Sequence, residues 1–212
     1  AGLSASYHLR RLGLAHVVLD AEDAPGGAWQ HRWDSLTMAD VHGVADLPDA
    51  PAPGASSTRA NEVIACWFDD YEQSHDLPVL RPVRVERVTD EEGLLVVHAE
   101  AGTWTTRTLV NATGTWTHPF VPTYPGQRDF AGEQWHTVAY PGREHFRGRR
   151  VLVVGGGASA VQFIGELATI AHVQWVTRRP PCSSGLAIPS CAVAPSRSMR
   201  ATFRTTSKAA WK

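Results

Sequence analysis

The chain has 212 residues, 43% of them hydrophobic and 19% charged, with a formal net charge of −1. That balance suits a soluble globular protein with a buried core and argues against a nucleic-acid or anionic-membrane partner. No apolar run approaches the ~20 residues that cross a bilayer, and no signal-peptide pattern is visible. The three cysteines, Cys66, Cys182 and Cys191, are far apart and form no C-x-x-C pair. A reducing, cytoplasmic compartment is therefore expected rather than a disulfide framework.

Taken in chain order, the pattern predicts a helix over 2–12 and a short apolar strand over 16–20. A long irregular stretch follows, 23–56, because Pro48, Pro51, Pro53 and Gly54 interrupt any helix or sheet. Ser57 or Thr58 is placed to cap a helix over 59–74, with Val63, Trp67 and Tyr71 along one face. Arg84–Val88, Leu94–Ala99 and Thr103–Val110 alternate as an antiparallel meander, with turns at Glu92-Gly93 and Ala101-Gly102. Pro119, Pro122, Pro125 and Gly126 mark a crossing to a second domain that starts near Gly148.

The continuous β-branched run Val151–Val154 predicts a strand buried on both faces. Gly155-Gly156-Gly157-Ala158-Ser159-Ala160 follows at once and opens a helix to about Ile170. Gly155 suits a tight turn, Gly157 lets backbone approach a pyrophosphate, and Ala160 takes the packing position of a G-x-G-x-x-G/A turn. A purely structural glycine turn is the competing reading, made less attractive by the strand, helix and Arg178-Arg179 at workable spacing.

Residues 2–20 align without a gap on 160–178. Leu9 falls on Leu167 and Val18 on Val176, whereas Asp20 falls on Arg178. The residue just past this strand of a βαβ nucleotide unit reaches the adenosine ribose. A carboxylate there accepts from free hydroxyls and repels a 2′-phosphate, while an arginine grips that phosphate with paired charged hydrogen bonds. The expectation is an α/β chain with two nucleotide sites of opposite preference. Gly2 occupies the third glycine position of the first unit, whose earlier strand and glycines are expected upstream. Pro25-Gly26-Gly27-Ala28-Trp29 follows, either as backbone passing close to a ligand beside an indole or as a surface turn with a core tryptophan.

These motifs, with Asn111-Ala112-Thr113-Gly114 and the spacing F-x-G-x-x-x-H-x-x-x-Y from Phe130 through Gly132 and His136 to Tyr140, occur in a familiar order. The chain resembles the bacterial flavin-dependent monooxygenases with two dinucleotide-binding domains, the flavin-containing and Baeyer–Villiger types, over residues 1 to about 180. The resemblance implies a Rossmann-like flavoprotein with parallel sheets and a small antiparallel meander, truncated at both ends. Residues 1–147 would be the FAD-binding domain, with the crossing at 111–147. Residues 148–179 would begin the NADP-binding domain, and 180–212 would be a basic tail.

Carried onto this sequence, the resemblance implies that FAD is held by Gly2, Asp20, Gly26, Gly27, Ala28, Trp29, Val85, Ala112, Thr113 and Gly114, the 112–114 run ending a strand. NADPH would be held by Gly155, Gly157, Ser159 and Ala160, with Arg178 and Arg179 on its 2′-phosphate. Phe130, Gly132, His136 and Tyr140 would form a linker coupling cofactor binding to catalysis. Read without the family, His136 is a hydrogen-bonded loop histidine, and Phe130 and Tyr140 are core residues. No catalytic acid or base is assigned, because the cofactor carries the chemistry.

The implied activity is NADPH-driven reduction of FAD and transfer of one oxygen of O2 to a small nucleophilic nitrogen or sulfur compound, or to a ketone. Tyr140-Pro141, where Baeyer–Villiger enzymes usually show tryptophan, tilts the expectation toward nitrogen or sulfur. The alternatives are an NADPH oxidase or reductase without oxygen transfer, and an inactive nucleotide-binding fragment. The absent C-x-x-C removes the redox pair of thioredoxin-reductase-like relatives. No metal site is expected from the scattered histidines, and His31 reads as a polar rim residue. All 21 acidic residues precede position 167, while seven of the 20 basic residues follow it. Arg197, Arg200, Arg204, Lys208 and Lys212 are compatible with a basic helical stripe or with an aberrant, out-of-frame tail.

Overall fold

The computed structural model describes residues 1–41 and 43–177; Arg178, Arg179 and the basic tail lie outside them. Residues 1–176 form one unit built around three small sheets. The predicted first helix is α1, Gly2–Arg11, and it leads to strand β1, Val18–Leu19. β1 is shorter than predicted because its only partner among the described residues is the equally short β2, Val79–Leu80, which lies parallel to it. The strand over 79–80 was not read from the sequence. Two residues between prolines give no periodicity to detect.

Helix α2, Ala60–Ser74, closely matches its predicted span. Its N-cap is Arg59, with no side-chain cap, rather than Ser57 or Thr58. The reason is competition: the Thr58 and Ser56 carbonyls accept hydrogen bonds from Met38 and Ala39 at 3.0 and 2.9 Å. That pairing holds 56–58 extended against 38–39. The inner face of α2 then buries Ala60 and Ile64 completely against Leu36 and Met38, with Trp29, Trp33, Val63 and Trp67 around them. A second cluster joins Tyr7 of α1, Tyr71 of α2 and Leu77.

The meander is β3, Val85–Glu91, β4, Leu94–Ala99, and β5, Gly102–Thr106, paired antiparallel in that order. β5 stops at Thr106 instead of Val110, and 107–114 contains no strand. Leu109 and Val110 are exposed, and no described strand pairs with them; apolar alternation alone does not make a strand without a partner ladder.

β6, Arg150–Val154, and β7, His172–Val176, pair parallel in register, with α3, Ala158–Leu167, between them. The helix ends three residues before the predicted Ile170. The burial of β6 on both faces is not found: Val153 is buried, but Leu152 and Val154 are 55% and 52% exposed. Only β7 flanks β6 among the described residues, and α3 covers one face, so the opposite face meets solvent. No described helix is long and apolar enough to cross a membrane.

Candidate cofactor-binding site

Gly2 sits where α1 meets the 111–114 segment. A methyl group built on Gly2 would lie 3.6 Å from Ala112 Cβ, an ordinary contact. Two residues expected near the FAD are thus adjacent. Ala112, Thr113 and Gly114 form an exposed turn rather than a strand end. Asn111 Oδ1 accepts from the Thr113 N–H at 3.2 Å and its hydroxyl at 3.0 Å, and Gly114 has φ of 65°. An Asx-type turn of this kind competes with ladder pairing.

Asp20 follows β1 directly. Its N–H donates to the Leu80 carbonyl at 3.1 Å and its carbonyl accepts from the Val83 N–H at 2.7 Å. The carboxylate is held on both sides: Oδ2 accepts from Arg81 Nε at 2.8 Å and Oδ1 from the Glu22 N–H at 3.2 Å. Arg81 was missed in the sequence because its link to Asp20 depends on β1–β2 pairing.

The Gly26-Gly27 pair has two different reasons for being glycine. Gly26 has φ of 120° and is pressed against α2; an added Cβ would stand 3.0 Å from Ala65 Cβ and 3.2 Å from Ala65 Cα. Gly27 has φ of 51°, but nothing lies within 4 Å of its would-be Cβ. Packing together with its φ explains the first, and the positive φ alone explains the second. Ala28 is exposed, and Trp29 is half-buried against the Leu36–Ile64 cluster. Val85, at the start of β3, is exposed and precedes a register shift against β4.

Arg32, which the sequence reading did not single out, packs its guanidinium 5.4 Å from the Trp29 ring, 5.9 Å from Trp33 and 4.9 Å from Trp116. Its Nε and Nη1 are buried without a hydrogen-bond partner among the described residues, and burial pulls its pKa below the usual arginine value. The signal available was its place between Trp29 and Trp33. His31 is exposed, 3.0 Å from Glu22 and stacked on Trp116. No metal-binding cluster occurs among the described residues.

In the second loop Gly155, with φ of 140°, donates its N–H to the Val176 carbonyl at 3.0 Å, and its carbonyl accepts from Trp175 Nε1 at 2.6 Å. A Cβ there would meet Ala160 Cβ at 4.0 Å, so Gly155 and Ala160 face each other. Gly157 is the N-cap of α3 with open space around it, Ser159 is half-buried and Ala160 is buried. The N-terminus of α3 has no side-chain cap, while the Ala160 and Val161 N–H groups donate to the Gly157 carbonyl at 3.0 and 3.4 Å; an uncapped helix N-terminus suits an anion.

The four linker residues are not gathered in one place. The Phe130 ring lies over Gly132, where an added Cβ would come within 2.5 Å of it, and Phe130 is 60% exposed. His136 Nδ1 accepts from the Val138 N–H at 3.4 Å, capping a single 3₁₀ turn. Tyr140 is built into an aromatic cluster with Trp33, Phe146 and Phe163 of α3, at centroid distances of 5.3, 5.6 and 4.6 Å. Burial and the neighbouring Glu166 carboxylate raise its phenol well above the ordinary value. An open cleft of about 540 Å³ runs past Trp33, Ser35, Tyr140 and Arg143. Trp29, Arg32, Trp33, Tyr140 and Phe163 thus form an unbroken line from the first glycine turn to α3.

Two glycine-rich turns, each tied to a helix and a parallel strand pair, together with an antiparallel meander, define an α/β oxidoreductase fold of the flavin monooxygenase kind. The chain belongs to the pyridine nucleotide-disulphide oxidoreductase family, whose pattern matches residues 1–208. It is similar to the flavin-containing monooxygenase of Stenotrophomonas maltophilia at 42% identity, with a TM-score of 0.76 over 84% of this chain and 55% of that one. A cyclohexanone monooxygenase mutant from Rhodococcus sp. Phi1, solved bound to NADP+, is 27% identical, with a TM-score of 0.56 over 85% of this chain and 38% of that one. An uncharacterized CzcO-like oxidoreductase of Geobacillus kaustophilus is 27% identical over 79% of this chain and 49% of its own length. The chain spans about half the length of the curated CzcO-like relatives it matches.

Proposed function

We propose that this protein uses NADPH and FAD to transfer one oxygen atom from O2 to a small nucleophilic nitrogen or sulfur compound, with ketones as the second substrate class. The observation that carries the reading is the continuous line of side chains from Trp29 to Phe163, which ties an FAD-type turn to an NADP-type helix. A reaction that passes electrons from one nucleotide to the other requires both turns to be held at fixed separation.

The residues fit FAD. Gly27 leaves open space where a side chain would stand, and the Arg32 guanidinium carries unpaired buried N–H groups beside Trp29. A buried guanidinium without an acceptor is costly, and the carbonyl and phosphate oxygens of FAD are acceptors. Asp20 would take the ribose, Gly2 the diphosphate, Gly26, Gly27, Ala28 and Trp29 the flavin side, and Val85 the adenine, with Ala112, Thr113 and Gly114 near the FAD where the chain crosses. Gly155, Gly157, Ser159 and Ala160 would cradle the NADPH diphosphate, with Arg178 and Arg179 on its 2′-phosphate. When bound, FAD supplies the hydride acceptor and the oxygen-activating centre. The protein's part is to bind, to orient and, through the Trp33–Tyr140–Phe163 packing, to exclude water near the turns.

The test is turnover of the FAD-loaded protein with NADPH, isotopically labelled O2 and panels of amines, thioethers and ketones. One labelled oxygen per product molecule is expected, with substrate-dependent NADPH consumption. Stoichiometric hydrogen peroxide with every substrate would replace this reading by an oxidase, and failure to bind either nucleotide would replace it by a non-catalytic role.

A further inference from the structure

Three charged groups converge at the end of the β1–β2 pair, and the expected ribose contact uses only one of them. β1 and β2 pair Val18 with Val79 and Leu19 with Leu80, so Asp20 and Arg81 are the next residues along two parallel neighbours. Arg81 Nε donates to Asp20 Oδ2 at 2.8 Å. Its other edge forks onto Glu72 of α2, Nη1 to Oε2 at 2.6 Å and Nη2 to Oε1 at 2.7 Å. The side chains are 15% exposed for Arg81, 9% for Glu72 and 24% for Asp20.

We propose that Arg81 is a positioning residue of the first nucleotide site, fixing the Asp20 carboxylate so that it receives the adenosine ribose hydroxyls, with Glu72 as its counter-anion. This rests on the reading of Asp20 given above. A carboxylate oxygen has two lone-pair directions. Arg81 takes one on Oδ2 and the Glu22 N–H takes one on Oδ1. Both oxygens are left with one direction open, fixed in plane, which is what two vicinal hydroxyls require.

The counter-anion matters for charge. An isolated Arg–Asp pair would be neutral and would lose its repulsion toward a 2′-phosphate. Two carboxylates on one guanidinium keep one net negative charge at the socket. Burial works against the guanidinium charge, but its bonds to Glu72 and Asp20 more than offset this and raise the Arg81 pKa. Arg81 therefore stays cationic at every working pH.

Helix α2 makes the arrangement serve both ends of the site. Ala65 and Glu72 lie seven residues apart and share one helix face. Ala65 meets Gly26 of the flavin-side turn, and Glu72 meets Arg81 of the ribose side. One rigid helix thereby sets the glycine turn and, through Arg81, the carboxylate.

The experiment is a double-mutant cycle on FAD affinity, measured by flavin fluorescence on the apoprotein, with Asp20→Ala, Arg81→Met and the pair, and the Tm recorded for each. Arg81→Met alone is expected to weaken FAD about 10-fold and, because it removes the one cation of the trio, to widen the preference for ADP-ribose over its 2′-phosphate. In the Asp20→Ala background the same change is expected to have no further effect on affinity. Equal losses in both backgrounds would show that Arg81 only supports the fold, and would overturn the proposal. Asp20→Ala weakening FAD while Arg81→Met does not would also overturn it, leaving the nucleotide site intact. An Asp20→Ala protein with unchanged affinity would overturn the ribose reading itself. If Arg81→Met does not fold, Arg81→Lys, which keeps the charge but not the fork, is measured in the same two backgrounds against the same expectation.

Discussion

The two αβ units, α1 with β1 and α3 with β7, share a sequence pattern and differ in how much structure supports them. In the second unit, β6 and β7 pair over five residues, and Gly155 faces Ala160 across the turn. In the first, β1 and β2 pair over two residues. Its geometry is maintained by contacts distant in sequence: Gly26 against Ala65, and Arg81 between Asp20 and Glu72. A strand–turn–helix–strand unit that is continuous in the chain specifies its own turn. The 2–20 segment borrows its order from α2, which also carries the buried Ile64 core.

The sharpest way to break this comparison is at the two glycines that look alike in sequence. Gly26→Ala combines a φ of 120° with close approach to the α2 backbone, and is expected to cost about 2–4 kcal/mol of stability. Gly157→Ala, at φ of −89° in open space, is expected to leave stability nearly unchanged. Thermal unfolding of both variants checks this, and equal losses would remove the distinction between a borrowed and a self-contained turn.

The opposite charges at the two equivalent strand ends give the next largest effect. Arg178→Ala is expected to weaken NADPH by about 1.5–3 kcal/mol, the loss of a paired phosphate contact, while leaving NADH nearly unaffected. An unchanged ratio of the two Kd values would remove the assignment of Arg178.

A smaller effect sharpens the role of α2. Burial, then the nearby Tyr7 and Asp49, pushes the Tyr71 phenol up to about 12. Below the unfolded value near 10 both states are protonated and stability is flat. Above it, the unfolded chain ionises while the folded one holds its proton, so stability falls as pH rises from 10 toward 12. Tyr71→Phe is expected to flatten that alkaline decline in Tm.

The smallest effect is expected in the crossing segment, outside both units. Hydrogen bonds from His145, then Arg149 and Trp135, hold the Glu133 carboxyl down to about 2. Its contribution is present above pH 4.5 and lost as pH falls toward 2. Because this network is exposed, Glu133→Gln is expected to change the acid limb of the Tm profile only slightly.

Much of this was legible from residues close together in the chain. α2, β4, β6 and the glycine loop before α3 follow from local periodicity and turn chemistry. The predicted second-unit strand ended within the described residues as β7. The errors share a cause. Alternation predicts β5 as far as Val110, but no described strand pairs with 107–110, so the strand ends at Thr106. Ser57 and Thr58 suit a cap by residue type, but the 38–39 N–H groups hold the Ser56 and Thr58 carbonyls in an extended pairing. Both faces of β6 were predicted buried because sequence reports only that a strand is apolar.

The sequence by itself determined the family, the fold class and the order of the two glycine turns, because glycine placement and strand–helix periodicity are local properties of the chain. Only the tertiary structure decided that Arg81 and Glu72 hold Asp20, that Gly26 answers to helix packing whereas Gly27 borders open space, and that Tyr140 lies on a line of side chains joining the turns. Those pairings span from nine to more than 100 positions, and no spacing rule connects residues that meet only when separate elements pack.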